Sequence, residues 1–323
     1  MDDYRVICNG YDVTARIGDL TSTDDIEQLS MSISCKAVRN PHDKLMPAFT
    51  FASGDKWQLF NGSTMIFRGI ITKTGLDGSI TANDFGWYLN KSKIILQCNG
   101  VAADDAIRQL CQKAGVSVGS VPSMPTTITE VYIAQEPSTI LSDILDKVTA
   151  ERGIKYFSRV EPDRGLCIYP YPTTPIALSV QLARNLRPFD PTWSLGAVSG
   201  EASMDDLRNQ VSVYREEGDT ARILATATDS GSISKYGWLQ HMESADEGTT
   251  AAQAQQLASQ KLRELNRLTR TRKVDNLLGA DVRAGTMLRF SSDAFGLTGD
   301  WIIKQVTHTY APQHTMSLEV IAP

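Results

Sequence analysis

The side chains of this chain that could do chemistry are few and scattered. His308 and His314 flank the segment "TYAPQ" on successive strand-like runs, a spacing that lets two imidazoles meet across a hairpin as half of a tetrahedral zinc site. No third ligand accompanies them, and His42 and His241 stand alone. The expectation is therefore surface histidines beside a turn, with no metal bound. Carboxylate pairs at Asp24-Asp25, Asp104-Asp105 and Asp205-Asp206 could divide acid and base roles, but neighbours in sequence seldom converge on one bond. A helix cap accounts for Asp104-Asp105 and a turn into a strand for Asp205-Asp206, so structural roles are expected for all three pairs. Cys8, Cys35, Cys98, Cys111 and Cys167 are never in a CxxC spacing, the usage of reduced, buried thiols. The chain has no GxGxxG after a strand, P-loop lysine, HExxH or GxSxG elbow, so neither a catalytic residue nor a cofactor is expected.

The densest charge cluster is Arg263, Arg267, Arg270, Arg272 and Lys273. Its first three members recur at i, i+4 and i+7 and are expected along one edge of a helix, a solvated face over an apolar stripe. A formal net charge of -5 and a pI near 5.5 argue against a surface made to cover phosphates, so no specific nucleic-acid binding is expected. The start "MDDYRVICNGYDVT" lacks a basic and apolar leader, and no apolar run reaches bilayer length, so a soluble protein of the cytoplasm is expected.

The elements that must position these residues are mostly strands. In "WQLFNGSTMIFRGIITKTGLDGSITANDF", residues 57–85, alternating hydrophobicity is broken at Asn61-Gly62 and Asp77-Gly78, both suited to a type I′ hairpin with positive φ at its two central positions. A three-stranded meander follows. The runs "TMLRF", "DWIIKQVTHTY" and "TMSLEVI" repeat that design in the same order near the end of the chain, the trace an internal duplication would leave. Between the two, "VAADDAIRQLCQKAG" and "PSTILSDILDKVTAERG" carry helical periodicity, with Gly115 and Gly153 placed to stop them and Ser138 placed to cap the second. The fold class read from this is β-rich α+β, two related small antiparallel β-barrels flanking an α+β domain. The boundaries read as 1–94 for the first barrel, 95–197 for the α+β domain with its Pro-punctuated connection, and 198–323 for the second barrel, into which a helix at 251–268 is inserted. Trp57, Trp87, Trp238 and Trp301 lie in or beside strand runs and are expected in barrel cores.

Taken in order, "VTARIGDLTSTDDIEQLSMSIS", "TMIFRGIITKT", "NDFGWYLNKSKI", "VAADDAIRQLCQKAG", "SMDDLRNQVSVY" and "WIIKQVTHTYAPQHTMSLEV" resemble the central hub proteins of contractile phage tails and phage-tail-like particles, a group also similar to the base of type VI secretion spikes. The resemblance covers most of the chain. It implies a non-enzymatic homotrimer whose paired barrels form a ring of six similar units. That ring would join a tail tube or tube-initiator protein to a central spike, with other baseplate proteins around it, in a particle assembled in the host cytoplasm. The residues expected to carry this role, at interfaces or inside the barrels, are Trp57, Phe67, Gly69, Trp87, Asn209, Trp301 and His308. Two rival readings stand beside it. A tail-associated cell-wall hydrolase would gather acid, base or zinc residues in one domain. A peptidoglycan-binding module in residues 95–175 would expose aromatics such as Tyr132, Tyr156 and Tyr169.

Overall fold

In a computed structural model of the chain, the described residues are 4–38, 50–176, 179–180, 198–218, 220–245, 248–292, 297–310 and 313–323. His42 and most of the Pro-punctuated connection lie outside them. The described residues form two compact units, one drawn from the chain up to Ser199 and again from Lys273 to Ile321, the other from Gly200 to Arg272. Among them, no helix is long and apolar enough to cross a membrane.

The first unit opens with β1 (Tyr4–Cys8), β2 (Tyr11–Asp12), β3 (Ile17–Asp25), β4 (Ser32–Ala37), β5 (Lys56–Asn61), β6 (Thr64–Thr74) and β7 (Ser79–Asp84). Period-2 alternation turns Trp57 and Leu59 of β5, Phe67 and Ile71 of β6 and Ile80 and Ala82 of β7 into one core with Ile33 of β4. The hairpin turns are not the expected type I′ pair: Gly62 and Gly78 have positive φ (56° and 87°), while Asn61 and Asp77 do not. Asn61 instead ends β5 as a ladder partner of Thr64.

The middle of the chain builds a separate core. β8 (Ile94–Ala102) and β9 (Thr127–Gln135) form a two-stranded sheet covered by α1 (Ala103–Ala114) and α2 (Pro137–Arg152), and β10 (Tyr156–Glu161) pairs with β11 (Gly165–Pro170). Leu96, Ile107, Leu110, Ile128, Ile140, Ile144, Val148 and Leu166 fill it. Both helices stop at a left-handed glycine, Gly115 and Gly153, as their sequences require. Their starts differ from the expectation. Pro137 takes the first helical position of α2 after Glu136, so Ser138 lies inside the helix. Ala102 precedes α1, leaving Asp104 and Asp105 in the first turn, where their charge suits the helix dipole, and Asp104 Oδ1 accepts a bond from Met124 N at 3.3 Å.

After β12 (Ser179–Val180), the chain leaves the first unit through β13 (Val198–Ser203) and enters the second, made of β14 (Gln210–Glu217), β15 (Thr220–Thr228), α3 (Ser230–Tyr236), β16 (Gln240–Ser244) and α4 (Ala251–Leu265). Thr250 and Gln253 close a capping box at the start of α4, and Ala254 and Ala258 pack on Val211, Val213 and Ala227 of the sheet β15-β14-β16. Because α4 ends at Leu265, the expected basic helix edge does not form: Arg270, Arg272 and Lys273 lie on β17 (Thr269–Leu278). Trp238, also expected in a barrel core, is exposed beyond α3.

The chain returns to the first unit along β17 and finishes with β18 (Met287–Ser292), β19 (Leu297–Thr309) and β20 (Thr315–Ile321). Strand order in the sheet is β13-β17-β20-β19-β3-β4-β7-β6-β5-β1-β2, with β18 on β19. Within that path the run β3-β4-β7-β6-β5 is repeated as β13-β17-β20-β19-β18, in the same chain order and with the same neighbours. In chain order, the residues between β13 and β17 are therefore an insertion where the first repeat has only the short β3–β4 connection.

The two meanders agree down to individual bonds. In the first, Gly54 N donates to Ile71 O (2.7 Å) and Ile71 N to Asp55 O (2.8 Å); in the second, Gly285 N donates to Ile303 O and Ile303 N to Thr286 O, both at 2.8 Å. Both glycines need positive φ, 96° and 81°. A bulge follows each isoleucine, between Ile71 and Lys73 and between Ile303 and Gln305, after which Lys73 pairs with Thr81 as Gln305 pairs with Glu319. In this register Gly69 lies across from Trp57 and Trp301 across from Leu288, so the tryptophan has moved to the opposite strand of the pair. A Cβ on Gly69 would meet the Asn83 carbonyl of β7. Gly69→Ala is expected to cost about 1–3 kcal/mol, read as a lowered urea midpoint with an unchanged slope.

Candidate assembly interface

Among the described residues, the strand ladder that joins the two repeats forms one seam. β3 and β19 pair antiparallel from Asp25↔Gln305 to Thr21↔Thr309. Gln305 Nε2 donates to Asp25 Oδ2 (3.2 Å), Thr23 Oγ1 meets Thr307 Oγ1 (3.3 Å), and the Ser22 and Tyr310 hydroxyls meet at 2.7 Å.

At one end of the seam is a histidine pair. The Val282 carbonyl can only accept, so the Nε2–H of His308 donates to it at 2.9 Å. Nδ1 of the neutral ring then accepts from His314 Nε2 at 3.0 Å, and His314 Nδ1 accepts from the Tyr4 hydroxyl at 2.8 Å. One ordered run of hydrogen bonds thus ties the first strand of the chain to its last hairpin. Tyr310 stacks on both imidazoles, and Gly279 lies so close to His314 that any side chain there would strike the ring. The histidines are buried, 5% and 8% exposed, which corrects the expectation of a surface pair. Burial pushes His308 down to about 4, reinforced by the neighbouring ring of His314. Among the described residues, no group of three His, Cys, Asp or Glu is arranged to hold a metal.

At the other end is a buried ion cluster. Asp24 of β3 receives both Nε (2.8 Å) and Nη2 (3.1 Å) of Arg283, as well as the Ala284 N–H (3.2 Å). Arg283 also reaches Glu161 Oε2 on β10 (3.6 Å), whose other oxygen takes Arg159 at 2.7 Å and the Tyr169 hydroxyl at 3.1 Å. Burial works against the charge on Glu161, but the two guanidiniums outweigh it and hold the carboxyl below its ordinary value. Asp84, at the end of β7, accepts from Met31 N and Gly86 N and is pushed up to about 7 by burial, against the pull of those bonds and of Arg283. Asp24 thus has a structural role, as expected of the pair, as the buried partner of Arg283. The Asp205 turn is present, with the Asp205 N–H donating to Ser203 Oγ.

The residues singled out from the sequence fall into separate groups. Trp57, Phe67 and Gly69 lie within the first repeat, and Trp301 and His308 lie on β19, all buried. Trp87 sits half-buried in the 3-10 turn Phe85–Asn90, with Lys91 over its ring. Asn209 belongs to the second unit, fully buried, its amide donating to Gly237 O (2.6 Å) and its oxygen accepting from Leu239 N (2.8 Å) to hold the turn before β16. Tyr132 is buried with its hydroxyl on Asp143, Tyr169 packs on Phe157, and Tyr156 lines a 340 Å³ cleft beside α2. Sequence reading missed Tyr4, Arg283 and Glu161, and named Asp24 without its partner. Only the burial implied by strand parity marks Asp24, two residues from Ser22 on one face of β3.

A family model described as YQBQ-like matches residues 20–321. The phage-like element PBSX protein XkdQ of Bacillus subtilis (strain 168) is 24% identical over 308 residues, covering 91% of this chain and 89% of XkdQ. Among solved structures, the fold is similar to that of a tail protein from Neisseria meningitidis MC58, at a TM-score of 0.71 and 14% identity over 99% of this chain and 96% of that one. It is also similar to the E. coli c3393 protein, a type VI secretion system component described as resembling the T4 bacteriophage tail proteins gp27 and gp5, at a TM-score of 0.53 and 10% identity over 98% of this chain and 76% of that one.

Proposed function

This chain belongs to the YQBQ-like family, and from that footing we propose that it is a structural protein of a phage tail or tail-like particle, in which three copies close a pseudo-sixfold ring between the tail tube and the central spike. The observation that carries this reading is the repeated five-strand unit, with its bulge and its glycine-to-isoleucine bonds at matching places in both copies. A sixfold tube meeting a threefold spike requires surfaces that are nearly equivalent six times and identical three times, and a chain containing the same unit twice provides both. The role is one of assembly. The phage-like element to which XkdQ belongs and the tail origin of the Neisseria protein support it. The fold shared with a type VI secretion component supports placing the chain among assembly proteins of this kind; the proposed arrangement has a spike on one face and tube and other baseplate proteins around the rest.

Light scattering on the purified chain over a concentration series tests it. The expected mass is three times the 35.5 kDa of one chain, with six-lobed rings in electron micrographs. A monomer or dimer throughout the series, or a trimer without sixfold appearance, would sink the reading.

A further inference from the structure

The repeated unit is satisfied in one place and open in another. In the first repeat, β3 is not an edge, because β19 pairs along its outer side. Its counterpart β13 has β17 on one side and, among the described residues, no strand on the other, and Ser199, Gly200, Glu201 and Ala202 are exposed. The converse holds for the middle strands. β19 past its bulge, Gln305 to Thr309, is paired on both sides, by β20 and by β3, whereas β6 past its bulge, the two residues Lys73 and Thr74, has β7 alone among the described residues. Among the described residues one open edge of each kind remains, and each is the counterpart of a strand already paired to the other kind.

We infer that the open edge of β13 in one copy pairs with Lys73 and Thr74, the open edge of β6 past its bulge, in the next, reproducing between copies of this chain the Asp25–Gln305 end of the seam that β3 and β19 make within it. The inference rests on the ring reading and names its contact. Such an interface is head-to-tail, using two different patches, and it closes into a ring when the rotation permits. Charge fits the pairing. Lys73 holds the place of Gln305, which at the existing seam donates to the Asp25 carboxylate, and β13 offers Glu201 as its own exposed carboxylate.

Cysteine pairs test the register, since the five native cysteines are buried. Under mild oxidation the full chain carrying Lys73→Cys with Glu201→Cys, or Lys73→Cys with Ser199→Cys, is expected to yield covalent dimers and closed trimers on a non-reducing gel. Neither Lys73→Cys nor Glu201→Cys alone is expected to do so. Crosslinking by Lys73→Cys alone would mean a two-fold contact and overturn the inference. A trimer by light scattering that neither pair crosslinks would also overturn it while leaving the ring reading intact. A chain monomeric at every concentration would overturn both.

Discussion

Arg283→Met is expected to lower the stability of the first unit by about 3–5 kcal/mol, the cost of breaking a buried pair from one side. The substitution removes both guanidinium bonds to Asp24 and leaves that carboxylate, 6% exposed, with the Ala284 N–H. It also removes the cation that Glu161 shares with Arg159. Adding Asp24→Leu should recover most of the loss, because exchanging a whole buried ion pair for apolar groups is often neutral. A double-mutant cycle on urea midpoints measures the difference. A loss below about 1 kcal/mol in the single variant would mean that the strand ladder and the hydrophobic cores hold the seam without the ion cluster.

The second large effect is one that wild-type protein should conceal. His308 is held at about 4 against an ordinary 6.5, so it contributes stability that is present above pH 6.5 and lost as pH falls to about 4. Asp84 is held at about 7 against an ordinary 3.8, so it contributes stability that is present below pH 3.8 and lost as pH rises to about 7. The two slopes oppose each other across the shared window, each worth on the order of 3 kcal/mol over its range. Asp84→Asn should therefore make the protein markedly acid-sensitive between pH 6.5 and 4, and His308→Gln should make it more stable as pH falls through the same interval. Thermal melts at intervals of half a pH unit read both. Parallel profiles for the two variants and wild type would refute the compensation.

Both effects arise from contacts that a sequence displays poorly. The two meanders were legible because strand alternation and turn residues are local signals, and so were the helix stops at Gly115 and Gly153. The helix starts were less so: Pro137 took the position that favoured Ser138 as a cap. The seam was not legible at all, because Asp24, Tyr4 and His308 acquire their surroundings from residues far along the chain. His308 and His314 look like turn-side surface residues until the rings of Tyr4 and Tyr310 close over them. The basic set from Arg263 to Lys273 has helical spacing, yet the helix ends inside it at Leu265 and β17 takes the rest. Local periodicity predicts elements well and says little about where one gives way to another.

The β3–β19 ladder also sets a timetable. Asp25 and its partner Gln305 are 280 residues apart (305 − 25), so a chain emerging from the ribosome at 5–20 residues per second waits roughly a quarter of a minute to a minute for the strand that covers β3. During that interval the first repeat has its local hairpins but exposes a bare strand edge, the surface on which neighbouring chains most readily mispair. On a polysome, the β19 of an older chain is available to that edge before the younger chain has made its own. Exchange of C-terminal hairpins between copies is thus the misassembly this topology invites, and the time needed to synthesise the interval between β3 and β19 governs how often it occurs.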